Sequence, residues 1–363
     1  WRQSKTISSS ARPRRRPMDT PQPRRRGLLP ALFLAALLAY TVWPWLPFSK
    51  AAASPPTIVF YGFSILADVM HEGIFPAFQK LLAAEGGGAV EFVSSFGGSG
   101  TVTNQVIMGV PAQVVLLSLE SDADRLADAG VVAPGSWKRL PDGGVVNLTP
   151  FVILVRPGNP LGIRDFGDLG RPGVRVVHPD PLTSGGANWA IVAEYGSGFR
   201  GDPGGAAAGE AVLAGVWKNV VAQAASARAA RTQFENGFGD ALITYEQEAI
   251  YDRGRGRLEA DVVDPSRTIL SEHTLVVVER NIRPRERALI ERFVRFLWSE
   301  EAQRIFVKFG FRSAREDWNA ANPAFGTIAD PFRIADFGGW RKARREIVDA
   351  VWKERVMKQG ASR

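Results

Sequence analysis

The chain has 363 residues, 45 Lys+Arg against 37 Asp+Glu (net +8), and no cysteine. The missing cysteines exclude a disulfide framework, a thiolate metal site, a cysteine nucleophile and a lipid anchor on Cys. Ten of the basic and one of the acidic residues lie in 1–50, leaving 35 basic against 36 acidic side chains for residues 51–363, so the body is neutral and a basic footprint for nucleic acid is excluded.

After Arg24-Arg25-Arg26, residues 27–48 (GLLPALFLAALLAYTVWPWLPF) carry no charge. A basic head followed by an apolar run reads as a secretory signal, and Ala51-Ala52-Ala53 offers a small-residue cleavage site. An uncleaved transmembrane anchor fits the same pattern, because such a run is long enough to span a bilayer. Both readings put the body outside the cytoplasm, in the periplasm or its equivalent. The chain begins at Trp1, and Met18 opens MDTPQPRRR, a normal signal head, so translation is expected to start there. Residues 1–50 are thus an address, and the fold is expected in residues 51–363.

At 45% apolar and 23% charged residues, the body has globular composition and a length that suggests two lobes. TIVFYGF (57–63) reads as a buried strand, and Leu66, Val69, Met70, Ile74, Phe75, Phe78, Leu81 and Leu82 recur at helical spacing up to Gly86-Gly87-Gly88. AVEFVSSF (89–96) is a second strand that runs through Gly97-Gly98-Ser99-Gly100 into a helix. VVLLSL (114–119) is a third, with a helix at 121–129 after it. A new unit opens near 148, with strands at 151–156 and 174–179. The second of these passes through Pro181-Leu182-Thr183-Ser184-Gly185-Gly186-Ala187 into a helix at 188–196. A Gly/Ala-rich loop at 201–210, a helix at 211–220, strands at 240–245 and 273–280, and a helical C-terminal region complete the chain. Strand–helix alternation is the signature of open α/β sheets.

The three histidines, His71, His178 and His273, have no second ligand at metal-binding spacing. His178-Pro179-Asp180 has no placed nucleophile beside it. No G-x-S-x-G elbow, Walker loop or H-E-x-x-H is present, and GGSG at 97–100 lacks the third glycine of a dinucleotide fingerprint. No metal, no cofactor and no catalytic residue are therefore expected. Two strand–Ser/Gly–helix junctions remain, one in each expected lobe. The first N–H groups of a helix have no internal partner and carry partial positive charge, so each junction is suited to an anion. The competing reading is that Ser99 and Ser184 only cap their helices. A third polar stop, Ser226-Ala227-Arg228, reads as a loop before Thr232-Gln233-Phe234.

From about residue 57 to 350 the chain resembles the periplasmic sulfate- and thiosulfate-binding proteins of ABC importers. The resemblance is carried by FGGSG (96–100), NLTPFVILVRPGNP (147–160), PDPLTSGGANW (179–189), SARAARTQF (226–234), GDALITYEQEA (239–249) and FGGW (337–340). It implies an α/β, two-lobed type II periplasmic-binding-protein fold, each lobe an open sheet flanked by helices, with a hinge between them. Lobe one would comprise 54–147 and 269–363, lobe two 148–268, with crossings near 146–152 and 265–275. The resemblance further implies capture of a dehydrated tetrahedral oxyanion by neutral donors and its delivery to ABC permease subunits by a monomeric, non-enzymatic receptor. Carried over by position, the donors are the backbone N–H groups of Ile65, Ser99, Gly185, Gly186 and Ala227 and the hydroxyl of Ser184. Tyr245 stands where the family has a tryptophan indole, and Ile65 where it usually has aspartate. Arg228, next to Ala227, would bias the local field or serve in a structural ion pair. Two other readings are a membrane-tethered sensor or scaffold with this fold and a different ligand, and a hydrolase using Ser99 or Ser184.

Overall fold

The computed structural model describes residues 28–42, 55–201 and 203–358. The basic head, Met18 and Ala51-Ala52-Ala53 lie outside the described residues. Two compact units are formed, residues 1–54 and residues 55–363. In the first, helix Leu28–Val42 has 15 residues; at roughly 1.5 Å per residue it falls short of a hydrocarbon core about 30 Å thick. Among the described residues no helix is long and apolar enough to cross a membrane. The expectation of a transmembrane anchor over 27–48 is thus not supported.

Among its described residues the second unit has ten strands: β1 (Thr57–Phe63), β2 (Glu91–Gly97), β3 (Val114–Leu117), β4 (Val145–Val155), β5 (Val176–Pro179), β6 (Val220–Ala224), β7 (Ala241–Tyr245), β8 (Asp261–Val263), β9 (Arg267–Val277) and β10 (Asp330–Phe332). Their order is β2-β1-β3-β9-β4-β7-β5-β6, with β10 beside β9 and β8 beside β4. β1 pairs in parallel with β2 and β3, and β5 in parallel with β6 and β7. These two parallel clusters, covered by helices, are the sheets of a two-lobed α/β fold. The burial of every residue of VVLL in β3 and ALITY in β7 explains their largely apolar sequences, since a strand of a helix-covered sheet is buried on both faces.

β4 and β9 join the clusters. Residues 145–150 of β4 lie against 270–274 of β9, residues 151–155 pair with β7, and residues 274–277 of β9 pair with β3. Both strands start earlier than their apolar stretches suggest, at Val145 rather than 151 and at Arg267 rather than 273. Their extra residues include Asn147, Thr149 and Ser271, all buried, and no alternating apolar pattern marks them. Three other expectations are corrected. The loop at 201–210 gives way to helix Ala206–Lys218, residue 220 opens strand β6, and Ala227-Arg228 are the first turn of helix Ala227–Glu235 instead of a loop. In that helix Ala227, Ala230 and Phe234 face the core at helical spacing.

A candidate anion site at the seam of two lobes

Three helices begin where the parallel clusters face one another: Ser99–Ile107, Gly185–Phe199 and Ala227–Glu235. The sequence builds each start in the same way, by ending a parallel strand and turning within a few small residues. Ligands of open α/β sheets bind at these carboxyl ends of strands. No backbone acceptor takes the N–H groups of Ser99, Gly185, Gly186 or Ala227 among the described residues, as expected for first-turn donors.

The seam is tight. Thr101 N–H donates to the Thr183 carbonyl at 3.3 Å, tying one helix start to the loop before the next. A β-carbon on Gly98 would overlap the carbonyl oxygens of Thr183 and Ala225, the latter 2.5 Å away. The segments holding Ser99, Ser184 and Ala227 therefore meet. Glycine is required on their inner face, where backbone approaches backbone.

Each expected site residue can be placed. Ser99 is buried, and its hydroxyl donates to Asp122 Oδ2 at 2.7 Å while accepting from Ser118 N–H at 3.0 Å. Only its main-chain N–H is left to offer. Ser184 precedes its helix in extended conformation, and its hydroxyl makes no cap bond, so the capping reading does not hold there. Ser226, by contrast, does cap, accepting from Ala229 N–H at 3.1 Å. Ile65 lies in the turn Ser64–Leu66, its side chain fully buried, and that turn packs on helix Ala227–Glu235. Any contribution from Ile65 to a ligand is a main-chain one. Tyr245 ends β7; a β-carbon on Gly186 would lie 2.9 Å from its Oη. Burial pushes the Tyr245 phenol well above its ordinary range, so it stays a neutral hydroxyl.

Arg228 takes the ion-pair role. Its Nη1 is 2.7 Å from Asp68 and its Nε 3.4 Å from Glu248. Burial opposes the guanidinium charge, but Glu248 and Asp68 outweigh it and raise its pKa. Asp68 lies just beyond the Ile65 turn, so this pair crosses the seam. One turn further, Glu72 meets Arg255 and accepts from Tyr251 Oη at 3.4 Å, a second crossing at the rim.

Ser118 was not singled out by sequence. It comes directly after β3, donates N–H to Ser99, accepts the Trp189 indole N–H on its carbonyl at 2.6 Å, and sets its Oγ 2.8 Å from Tyr245 Oη. The available signal was a serine at the carboxyl end of a parallel strand, the same signal that marks Ser99 and Ser184.

Similarity to known proteins bears directly on this geometry. The sequence profile of the bacterial extracellular solute-binding proteins matches residues 64–312. The chain belongs to that family. This solute-binding protein is 33% identical to a sulfate-binding protein of Synechococcus elongatus over 87% of its own length and 90% of the relative's. It is 33% identical to a thiosulfate-binding protein of Pseudomonas aeruginosa, over 86% and 94%. A solved sulfate-binding protein of Mycobacterium tuberculosis superposes with a TM-score of 0.73 at 31% identity, covering 80% of this chain and 99% of that one. The expected α/β two-lobed fold and family are thereby established, and the family is one of transport components, not catalysts.

Two histidines of this solute-binding protein are buried in networks. In the crossing strands, His273 Nδ1 lies 2.5 Å from Asn147 Oδ1 and Nε2 lies 3.2 Å from Ser271 Oγ. Burial depresses the His273 pKa from 6.5 to about 3. An unfolded histidine takes a proton below its ordinary pKa and the folded one does not, so folding stability is full above that pKa and falls as pH drops toward the folded value. The expected slope is about 1.4 kcal/mol per unit in that window. Urea midpoints at successive pH values measure it, and His273→Gln should flatten the profile. At the other buried histidine, His178 in β5, Nε2 and the Trp217 Nε1 both reach Glu194, each at 3.0 Å, with His178 Nδ1 donating to the Pro179 carbonyl at 2.6 Å.

Proposed function

We propose that this protein captures a tetrahedral oxyanion, sulfate or thiosulfate, between its lobes outside the cytoplasm and hands it to the permease subunits of an ABC importer. The observation that carries the reading is the meeting of unpaired helix N-termini from both parallel clusters at one glycine-lined seam. The similarity to sulfate- and thiosulfate-binding proteins points the same way. The N–H groups of Ile65, Ser99, Gly185, Gly186 and Ala227 and the hydroxyls of Ser184 and Tyr245 would be the donors. Lobe one would be 54–147 with 269–363 and lobe two 148–268, turning about β4 and β9, with the receptor a monomer.

The energetics favour neutral donors. A buried dianion without partners costs tens of kcal/mol, and hydrogen bonds to a charged acceptor return about 1.5–3 kcal/mol each. Several such bonds offset the penalty with no countercharge, which suits a seam where the arginine next to Ala227, Arg228, is held by Asp68 and Glu248. The tethered-sensor reading has no observation in its favour.

Ser184→Ala tests the site. It removes one hydroxyl donor while leaving helix Gly185–Phe199 without a lost cap, and should cost about 1.5–3 kcal/mol, roughly tenfold to a hundredfold in sulfate affinity. Isothermal titration of sulfate and thiosulfate against both proteins is the measurement. Wild-type affinity in Ser184→Ala would remove that hydroxyl from the donor set.

A further inference from the structure

We infer that the Ser118–Tyr245 hydroxyl pair works in both directions, so that the site takes an oxyanion bearing one O–H, such as hydrogen phosphate, as well as a fully deprotonated one. The inference rests on the proposed oxyanion function and concerns its specificity. Main-chain N–H groups only donate, and a ring of them leaves a ligand's own O–H without an acceptor, which is strongly rejected. A hydroxyl carries one proton and two lone pairs.

The geometry around the pair limits its choices. The two oxygens are 2.8 Å apart and either can donate. Ser118 is fully buried and Tyr245 only 1% exposed, so water does not compete. The main chain of Ser118 is fixed by Ser99 and by the Trp189 indole, which leaves the Oγ–H rotor as its one freedom. A β-carbon on Gly185 would lie 2.8 Å from Ser118 Oγ, and one on Gly186 2.9 Å from Tyr245 Oη. The pair thus stands against the first turn of the helix whose N–H groups face the seam.

Two proton arrangements are open to the pair. When Ser118 donates to Tyr245, the phenol proton is free for a deprotonated anion. When Tyr245 donates to Ser118, a phenol lone pair is free to accept a ligand O–H. Each arrangement keeps one neutral hydrogen bond between the two hydroxyls, with donor and acceptor exchanged. Ser118 Oγ is the resting place of the phenol proton in the second arrangement, which makes it a specificity-determining residue.

The test is calorimetry of the full chain with sodium sulfate and sodium phosphate near about pH 8, where inorganic phosphate is mainly the O–H-bearing dianion. Wild type is expected to bind both. Ser118→Ala leaves the phenol with no protein acceptor, so sulfate affinity should stay within about threefold while phosphate affinity falls about tenfold or more. Tyr245→Phe, which keeps the ring and its packing, should weaken both anions by about tenfold or more. Sulfate binding with no detectable phosphate binding in wild type overturns the inference and leaves the oxyanion reading intact. An equal loss of both anions in Ser118→Ala, or undiminished phosphate binding in Tyr245→Phe, also overturns it. If wild type binds neither anion the inference fails, and if it also fails to bind sodium thiosulfate the oxyanion reading fails with it.

Discussion

Gly98→Ala is expected to hold the receptor open. The backbone at Gly98, φ −60° and ψ 137°, suits any residue, so the substitution places no strain on the lobe that carries it. Its methyl group meets resistance only when the carbonyls of Thr183 and Ala225 arrive from the facing lobe. Those are main-chain atoms ahead of two helices and cannot turn aside as a side chain would. Overpacking of this kind costs about 1–3 kcal/mol, and the whole of it falls on the closed form, so sulfate affinity should drop by up to about a hundredfold. Thermal unfolding without ligand should match wild type. Small-angle scattering should show the extended envelope with and without sulfate. Wild-type affinity in Gly98→Ala would mean that the bound form does not bring residues 98, 183 and 225 together.

The second large effect concerns folding. Glu194 is fully buried between His178 and Trp217. Burial pushes its carboxyl above the ordinary range, with His178 pulling the other way. Because His178 Nδ1 donates to the Pro179 carbonyl, the Nε2–Glu194 contact contains one proton, whichever atom holds it. Glu194→Ala strands both an imidazole and an indole N–H, and should cost about 3–5 kcal/mol, lowering the melting temperature by roughly 10 °C. Glu194→Gln separates the charged from the neutral arrangement. A glutamine amide can donate to the imidazole and accept from the indole, so a neutral network tolerates it at about 1 kcal/mol. A loss as large as that of Glu194→Ala would identify an ion pair. Neither variant touches the seam, so differential scanning calorimetry is the readout.

Much of this molecule is legible in its residues, for reasons that also mark the limits. Strands buried on both faces, such as VVLL and ALITY, are largely apolar, and small residues recur at 97–100 and 183–187, where backbone meets backbone at Gly98. The crossing strands are less legible. Asn147, Thr149, Ser271 and His273 find their partners in one another, so the segments look polar until β4 and β9 are laid together. Ser118 is hidden for a similar reason. Its position at the end of a parallel strand is a local signal, but its partners Ser99, Trp189 and Tyr245 lie 19, 71 and 127 residues away and only the fold brings them to it.

The ion pair of Glu72 with Arg255 crosses the seam with both side chains exposed, whereas Asp68 Oδ2 and Arg228 Nε and Nη2, in the neighbouring pair, are closed off from solvent. Dissolved electrolyte reaches the first pair and screens the second far less. Salt thus acts as a clutch on how long cargo stays aboard: the release rate, followed by stopped-flow, is expected to rise with sodium chloride while the neutral body leaves the capture rate nearly unchanged.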